Sequence, residues 1–260
     1  MTATHANLVE IFSSVQGEGP HLGERTIFVR FGGCDLRCRW CDSPHTWHAA
    51  RRCHIETAPG SGRSRDVENP VALADAAAAA EALDAAHHAF VSLTGGEPLL
   101  QPEAVRALAL ALRRLGPRIL LETHGASPEP LEEVVDAIDV VSMDWKLPHD
   151  VRRATDPPRG PVAGFETAHE RFLEIARRAP ETVVKLVVTP ASTDADVDVA
   201  AGCVARVHPG ACFVLQPVTP QGAVKESVPA ARLLALAARA SQRLRDVRVI
   251  PQTHRILGVA

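Results

Sequence analysis

Residues 89–125 read AFVSLTGGEPLLQPEAVRALALALRRLGPRILLETHG, and this stretch decides the fold class. It contains two short runs that are almost entirely apolar, AFVSLT (89–94) and RILLET (118–123). Between them, PEAVRALALALRRLG (102–116) repeats apolar residues at helical spacing, begins with proline and ends at a glycine. Short strands that are apolar throughout are typical of a parallel sheet covered by helices. The stretch therefore predicts a β-α-β unit with parallel strands.

Outward from this unit, the same alternation continues in both directions. Further strands are predicted at TIFVRF (26–31), DVVSMD (139–144), TVVKLVVT (182–189), CFVLQPV (212–218) and DVRVIP (246–251), and helices at 72–88, near 128–137, 166–179, 194–207 and 229–244. About six β/α units form either an open doubly wound sheet or a complete or partial barrel, and we expect one domain over residues 1–260. Residues 48–70 lack an apolar period and are rich in Arg, Gly, Ser and Pro, which predicts a loop or mobile insertion.

Polar and glycine-rich residues follow four of the predicted strands at the point where each strand ends. They are Thr94-Gly95-Gly96-Glu97-Pro98, Glu122-Thr123-His124-Gly125, Asp144-Trp145-Lys146 and Gln216-Pro217-Val218-Thr219-Pro220. In open parallel sheets and in barrels, ligands bind where the carboxyl ends of the strands meet. We therefore expect these segments to converge on one mouth.

Composition limits the class of protein. The chain has 260 residues, a net charge of −3 and a hydrophobic fraction of 46%. Its Lys and Arg residues are scattered, which argues against a nucleic-acid partner. No run of about 18 apolar residues suggests a membrane span, and the first ten residues lack a signal-peptide pattern. We expect a cytoplasmic protein that binds neither membrane nor nucleic acid.

The densest group of metal-binding residues is GGCDLRCRWCDS (32–43), which holds Cys34, Cys38 and Cys41. Thiolates bind soft metal centres, and a short loop can aim several of them at one point. One interpretation is a structural zinc site completed by His45 or Cys53. Another is a cubane iron–sulfur cluster in which three cysteines leave one iron open. From ligand chemistry alone both remain open, as does a redox CxxC pair.

The spacing of these cysteines, with Trp40 before the last of them, resembles the motif of the radical S-adenosylmethionine (SAM) superfamily. The segment Thr94–Pro98 is similar to a second element of that superfamily, GGEP. The resemblance implies a partial (β/α)6-type barrel with parallel strands, either in its usual form or in a shortened or modified one. It also implies a 4Fe–4S cluster on the three cysteines, with SAM chelating the open iron and supplying a 5′-deoxyadenosyl radical. The radical is cofactor-derived, so no catalytic side chain is assigned.

Further segments narrow the resemblance to the 7-carboxy-7-deazaguanine synthase family. They are EIFSSVQGEGP (10–20), FVRFGGC (28–34), CDS (41–43), TGGEPLLQ (94–101), ETHG (122–125), SMDWKLP (142–148), LQPVTP (215–220) and PQTHRILG (251–258). The likeness spans nearly the whole chain except 48–70 and the region near 148–165. It implies ring contraction of 6-carboxy-5,6,7,8-tetrahydropterin with release of ammonia, in queuosine and deazapurine biosynthesis. It also implies Mg²⁺, an electron donor such as flavodoxin or ferredoxin, and a homodimer.

The same resemblance implies roles for individual residues. The substrate set is Val15, Gln16, Gly17, Glu18, Arg30, Thr94 and His254, and the SAM set is Trp40, Asp42, Gly96, Glu97, Ser142, Asp144, Lys146, Gln216, Pro217, Val218 and Thr219. Apart from the resemblance, the mostly apolar tail RILGVA (255–260) suggests that the chain end turns inward and brings the Ala260 carboxylate to the substrate. Ser43 stands where the family usually has a threonine as Mg²⁺ ligand, and a hydroxyl oxygen suits that hard cation. A pterin amide edge suits Gln16 and Glu18, and its carboxylate suits the Arg30 guanidinium.

Less specific interpretations stand beside these assignments. Arg30 could form a strand-end salt bridge, Lys146 could be a solvated lysine, and a chain end such as Ala260 is often frayed. Two other functions also fit the cysteine motif. One is an activase that makes a glycyl radical on a partner protein, and the other is a zinc-stabilised binding module without catalysis.

Overall fold

A computed structural model describes residues 3–157 and 162–259 as fourteen strands and seven α-helices. The strands are β1 (His5–Ala6), β2 (Leu8–Val15), β3 (Arg25–Phe31), β4 (Leu36–Cys38), β5 (Arg52–Glu56), β6 (Ser64–Glu68), β7 (Val71–Ala72), β8 (Phe90–Gly95), β9 (Arg118–Thr123), β10 (Val140–Asp144), β11 (Val151–Arg153), β12 (Glu181–Val188), β13 (Cys212–Pro217) and β14 (Val247–Val249). The helices are α1 (Leu73–Ala82), α2 (Pro102–Arg113), α3 (Pro128–Val134), α4 (Glu166–Ala176), α5 (Asp194–Val207), α6 (Ala230–Ala240) and α7 (His254–Leu257).

One ten-stranded sheet organises the molecule, in the order β14-β13-β12-β10-β9-β8-β3-β2-β5-β6. From β3 to β14 each neighbouring pair is parallel, and the helices α1 to α6 connect successive strands. The six predicted β/α units are thus confirmed. Because β14 and β6 lie at opposite edges and do not pair within the described residues, the sheet is open rather than a closed barrel.

The helices form where the sequence provides apolar stripes and end signals. In α2, proline occupies the first turn, where its missing N–H is tolerated, and Val105, Leu108 and Leu112 are fully buried. In α5, Thr193 and Asp196 form a capping box that satisfies backbone N–H groups at the helix start. These buried faces pack on one side of the sheet and build the main core.

The N-terminal part of the sheet differs from the sequence-based expectation. Residues 52–68, predicted as loop or insertion, contain the antiparallel hairpin β5–β6, which pairs with β2 and extends the sheet. The apolar alternation is confined to Cys53 and Ile55, which are buried, while β6 lies at the sheet edge and carries polar residues. Two alternating apolar residues in an otherwise polar segment are too few to be recognised as a strand from the sequence. β2, absent from the predicted strands, pairs antiparallel with β3.

Two further features complete the fold. A small antiparallel ribbon joins β4 to β11 and carries Cys38 opposite Val151. The chain contains no helix in residues 3–157 and 162–259 that is long and apolar enough to cross a membrane.

Candidate active site

The face of the sheet opposite the main core is called the inner face here. Its side chains are apolar near the amino ends of the strands and polar near the carboxyl ends. Near the amino ends it carries an apolar cluster that includes Phe90, Leu120, Val140, Val183 and Val214. Further along the same face stand polar residues, which are Ser92 and Thr94 on β8, Glu122 on β9, Ser142 and Asp144 on β10, Lys185 on β12 and Gln216 on β13. Because side chains alternate between faces with a period of two, these polar groups point to one side. They form the floor of a cleft at the carboxyl edge.

The cleft consists of two adjoining pockets. The thiol pocket is lined by Cys34, Cys38 and Cys41 together with Ser142, Lys146 and other residues. The Arg30 pocket is lined by the loop Val15–Glu18, Arg30 and residues of the C-terminal segment. Both pockets share a wall made of Trp40, Asp42, Ser43, Thr94, Gly95, Glu122, Asp144 and Lys185. A ligand in one pocket therefore lies directly beside a ligand in the other.

The three thiols of the thiol pocket are held by a loop that follows β3. Burial raises the pKa of Cys34 to about 12 and that of Cys38 to about 11, and it also raises the pKa of Cys41. The nearby Lys146 ammonium opposes this effect at Cys38. Since only the thiolate bonds a metal, a positive group beside these thiols favours the ligand form.

The spacing of the thiols bears on the kind of metal centre. Ligand atoms about 2.3 Å from a single zinc ion lie within about 4.6 Å of one another. Among the described residues, three metal-binding side chains come within 4.8 Å of one another only at Glu18, Asp42 and His254. Cys53 is fully buried in β5, and His45 lines neither pocket. The cysteines thus fit a polynuclear cluster better than the zinc site considered from the sequence.

The GGEP loop after β8 packs against the cysteine loop. A Cβ on Gly96 would lie 2.1 Å from the carbonyl oxygen of Gly33, so only glycine permits this approach. The Glu97 N–H donates to the same carbonyl oxygen at 2.8 Å. The Glu97 carboxylate is fully buried and accepts hydrogen bonds from the Thr123 hydroxyl at 2.7 Å and the His124 N–H at 2.8 Å. Glu97 therefore fixes the loop and lies behind the cleft wall.

A buried charge network crosses the shared wall. Asp144 contacts the Lys146 ammonium at 2.6 Å and the Lys185 ammonium at 3.2 Å, and Lys185 also pairs with Glu18. Burial alone would raise the pKa of Asp144, but the two ammonium groups outweigh it and lower that pKa to about 2. The carboxylates raise the pKa of both lysines against the opposing effect of burial. Asp144, Lys146 and Lys185 are therefore charged at neutral pH.

The Arg30 pocket presents an amide, carboxylates and a guanidinium. The Gln16 amide donates to Glu122 at 3.1 Å, and its oxygen accepts from the Glu18 N–H at 3.0 Å. Arg30 pairs with Glu10 at 2.6 Å while still lining the pocket, so the salt bridge expected as an alternative is present. Among the residues that the structure describes, the buried Gln216 side-chain oxygen has no hydrogen-bond partner. Because unpaired buried polar atoms are costly, this oxygen is suited to a ligand donor.

The C-terminal segment closes one side of the Arg30 pocket. The Thr253 N–H donates to the Gly17 carbonyl at 2.8 Å, and the Gln252 amide donates to Glu18 at 2.7 Å. A Cβ on Gly17 would lie 2.4 Å from His254 Nδ1. Glycine at position 17 is thus required for this contact, which places His254 in the pocket.

Most residues assigned from the sequence meet in this cleft, and some do not. The residues that line it are Val15, Gln16, Gly17, Glu18, Arg30, Cys34, Cys38, Trp40, Cys41, Asp42, Ser43, Thr94, Gly96, Ser142, Asp144, Lys146, Gln216 and His254. Four residues of the SAM set do not line it, namely Glu97, Pro217, Val218 and Thr219. Val218 is buried in the main core. Ala260 lies outside the described residues.

Several further cleft residues had no role assigned from the sequence, among them the polar residues Glu122, Lys185 and Gln252. Glu122 belonged to a segment predicted to reach the mouth, but it matched no assigned contact. Lys185 is the charged residue in the apolar run TVVKLVVT, and its place on the inner face is the signal that could have found it. Gln252 comes from a segment without regular structure, so no periodicity marks it.

Comparison with known proteins agrees with the geometry. Residues 28–202 match the model of the Radical SAM superfamily, which defines the class. The chain is 37% identical to the 7-carboxy-7-deazaguanine synthase of Geobacter sulfurreducens, covering 99% of each chain. It is 36% identical to the protein of the same name from Thermococcus kodakarensis, covering 82% of this chain and 84% of the relative. The chain belongs to the 7-carboxy-7-deazaguanine synthase family.

A solved structure supports the fold. QueE from Escherichia coli has a TM-score of 0.59 and 21% sequence identity with this chain, covering 96% of this chain and 94% of that one. Together with the family match, this confirms the expected radical SAM architecture, and the sheet is open, in line with a partial barrel. Radical SAM enzymes use a 4Fe–4S cluster and SAM, and the three thiols of the thiol pocket are the residues here that would hold such a cluster.

Proposed function

We propose that this protein converts 6-carboxy-5,6,7,8-tetrahydropterin to 7-carboxy-7-deazaguanine with release of ammonia. The observation that carries the proposal is the shared wall between the thiol pocket and a second pocket rich in amide and carboxylate groups. The thiol pocket would hold SAM, which would supply the 5′-deoxyadenosyl radical for hydrogen abstraction from the pterin carbon bearing the carboxylate. The shared wall would hold these two partners side by side.

The residues of the Arg30 pocket act by binding and orienting the pterin. Gln16 and Glu18 present acceptor and donor groups that match its amide edge and exocyclic amine, and Glu122 supports Gln16. The Arg30 guanidinium is the partner for the pterin carboxylate. Thr94 and His254 line the same pocket and add polar contacts. A glycyl-radical activase acts on a protein chain. The polar groups of the Arg30 pocket give no comparable reason to propose that function.

Magnesium is part of the same proposal. Ser43 lies in the shared wall, and its hydroxyl donates to Asp42 at 2.8 Å. The carboxylates of Asp42 and Glu18 stand close to one another beside His254. Hydroxyl and carboxylate oxygens are hard donors that suit Mg²⁺, which keeps part of its shell for water and substrate. We assign Ser43 as the protein ligand and Asp42 as the group that orients it.

The test is an anaerobic assay with reconstituted enzyme, dithionite, SAM, Mg²⁺ and the carboxy-tetrahydropterin, read by mass spectrometry. We expect 7-carboxy-7-deazaguanine and ammonia in equal amounts, with SAM recovered. Production of 5′-deoxyadenosine without deazaguanine would contradict the proposed substrate. We also propose that the protein is cytoplasmic and forms a homodimer. Light scattering of the purified protein would test the homodimer.

A further inference from the structure

The turn at residues 221–224, which follows β13, holds the backbone of the cysteine loop. Its Val224 side chain is buried in the main core. The Ala223 N–H donates to the Arg39 carbonyl at 2.7 Å, and a Cβ on Gly222 would lie 2.5 Å from the same carbonyl oxygen. The turn is therefore anchored in the core and packs closely on the cysteine loop.

Gln221 uses both ends of its side-chain amide in this contact. Its Nε2 group donates to the Trp40 carbonyl at 2.7 Å. Its Oε1 atom accepts a hydrogen bond from the Arg255 guanidinium on α7. A side-chain amide carries a donor and an acceptor, so it can serve both partners, whereas a carboxylate could serve only the guanidinium. Gln221 thus joins the cysteine loop to the C-terminal segment.

The two partners of Gln221 belong to different parts of the cleft. Trp40 lines the thiol pocket and directly precedes Cys41. Arg255 directly follows His254, which lines the Arg30 pocket but not the thiol pocket. The connection from His254 to Trp40 therefore runs through Arg255 and the two hydrogen bonds of Gln221.

Both ends of this connection depend on such contacts for their position. Helix α7 has four residues, which are too few to be stable as an isolated helix. Trp40 lies in the turn that follows β4. A ligand that orders one end leaves less conformational freedom to be lost when a second ligand binds at the other end. The connection through Gln221 thus favours simultaneous binding in the two pockets.

We infer that Gln221 is a positioning residue that makes the binding of SAM and the binding of the pterin mutually dependent. Gln221 itself lines neither pocket and acts through Trp40 and Arg255. The inference rests on the proposed function, because it takes SAM and the pterin as the two ligands. It adds the contact that couples them, and such a coupling raises the affinity for each ligand by the same factor.

The experiment measures the SAM affinity of the reconstituted holoenzyme by anaerobic calorimetry, with and without saturating carboxy-tetrahydropterin. Reductant is left out, so that both ligands bind without reacting. The ratio of the two SAM dissociation constants is the coupling factor. Iron content and far-ultraviolet circular dichroism of each variant verify that the cluster is loaded and the chain is folded.

The variants remove the connection at either end. Gln221→Ala, Arg255→Ala and the double variant form a double-mutant cycle. Gln221→Glu keeps an acceptor for Arg255 but cannot donate to the Trp40 carbonyl. The matched control is Gln242→Ala with Arg245→Ala, which removes an amide and a guanidinium from two exposed positions after α6.

We expect a coupling factor of about tenfold in the parent and about twofold in Gln221→Ala, Gln221→Glu and Arg255→Ala. The double variant should resemble the single ones, because one connection can be broken only once. Arg255→Lys retains a donor and should recover part of the coupling, and the control should keep the parent's factor. Absence of coupling in the parent, parent-like coupling in Gln221→Ala, or equal loss in the control would overturn the inference.

The coupling factor and product formation are separate measurements. If the pterin raises SAM affinity through Gln221 but no deazaguanine forms after reductant is added, the inference stands and the proposed function fails. If deazaguanine forms and the Gln221 variants keep the parent's coupling factor, the function stands and the role of Gln221 is wrong.

Discussion

Lys185 connects the two halves of the candidate site. Its ammonium group contacts Asp144 at 3.2 Å and also pairs with Glu18, which lines the Arg30 pocket. The side chain is only 10% exposed, so little water competes for these contacts. Removing one member of a buried ion pair leaves its partners in a low-dielectric region without compensation. Lys185 therefore orients two carboxylates of the cleft, Asp144 in the shared wall and Glu18 in the Arg30 pocket.

Replacing Lys185 tests that role. We expect Lys185→Met to lower the free energy of unfolding by about 3 kcal/mol, measured with urea, because a buried pair is broken. The Michaelis constant for the pterin should rise, and 5′-deoxyadenosine should form without matching product, because Glu18 is no longer fixed. Lys185→Arg keeps the charge and should recover part of both losses. A Met variant with coupled turnover and an unchanged Michaelis constant would assign Lys185 to stability alone.

The hydroxyl of Ser43 gives a second prediction at this scale. Ser43→Ala removes the proposed Mg²⁺ ligand, so half-maximal activity should require about tenfold more Mg²⁺, while SAM cleavage with excess dithionite continues. Ser43→Thr retains the hydroxyl and serves as the control, with a Mg²⁺ requirement close to that of the parent. If the alanine variant responds to Mg²⁺ like the parent, the ligand is another group.

The pKa values of the cysteines predict how cluster loading depends on pH. The ordinary pKa of 9.0 is raised by burial to about 12 at Cys34 and about 11 at Cys38. These thiols are therefore protonated at neutral pH and release protons when they bind metal, so reconstitution should become faster from pH 7 to 9. Lys146→Met removes a charge that lowers the pKa of Cys38 and should shift the curve to higher pH. Lys225→Met, at an exposed position, should not.

At the scale of elements, the loop after β2 and the C-terminal segment together close one side of the Arg30 pocket. Gly17 accepts a hydrogen bond from the Thr253 N–H, and the segment that follows places His254 in the Arg30 pocket. The contact is close because position 17 has no side chain. Two segments that are distant in sequence thus depend on one glycine.

Gly17→Ala should separate these segments. A methyl group 2.4 Å from His254 Nδ1 cannot be accommodated without movement. We expect a higher Michaelis constant for the pterin with little change in SAM affinity, measured by steady-state kinetics and by calorimetry. Gly60→Ala is a control for glycine replacement, since it has a positive φ angle of 67° but open space around it. Equal effects of the two substitutions on the Michaelis constant would contradict the closure.

The elements also show how far the sequence can predict the site. Thr94, Asp144 and Gln216 were predictable because each ends a strand whose apolar run is easy to recognise. The direction of the Glu97 side chain was not predictable, because its carboxylate accepts hydrogen bonds from Thr123 on β9 and from the His124 N–H instead of entering the cleft. The hairpin β5–β6 was missed since a sheet edge needs only a few apolar residues. Contacts formed by such irregular or edge segments depend on tertiary packing.

At the scale of the whole molecule, the sheet and the metal-binding loop are stabilised separately. The main core consists of sheet and helix residues and does not include the three cysteines of the thiol pocket. Cys34 and Cys38 pack against a small separate cluster formed by Leu36, Val151 and Phe165. The open ten-stranded sheet therefore accounts for the stability of the fold, and the loop carries the cysteines that would bind the cluster.

This separation predicts opposite results for two cysteine substitutions. Cys38→Ala should abolish the visible absorbance of the cluster and all activity, yet change the unfolding free energy of the cluster-free protein by less than about 1 kcal/mol. Cys53→Ala removes a fully buried side chain of β5, so it should cost roughly 1–2 kcal/mol while the cluster is retained. Circular dichroism during urea unfolding measures the stability, and iron analysis measures the cluster. If Cys38→Ala unfolded the cluster-free sheet, the loop would contribute to the stability of the fold, because removing a thiol outside the main core would then have disrupted that core.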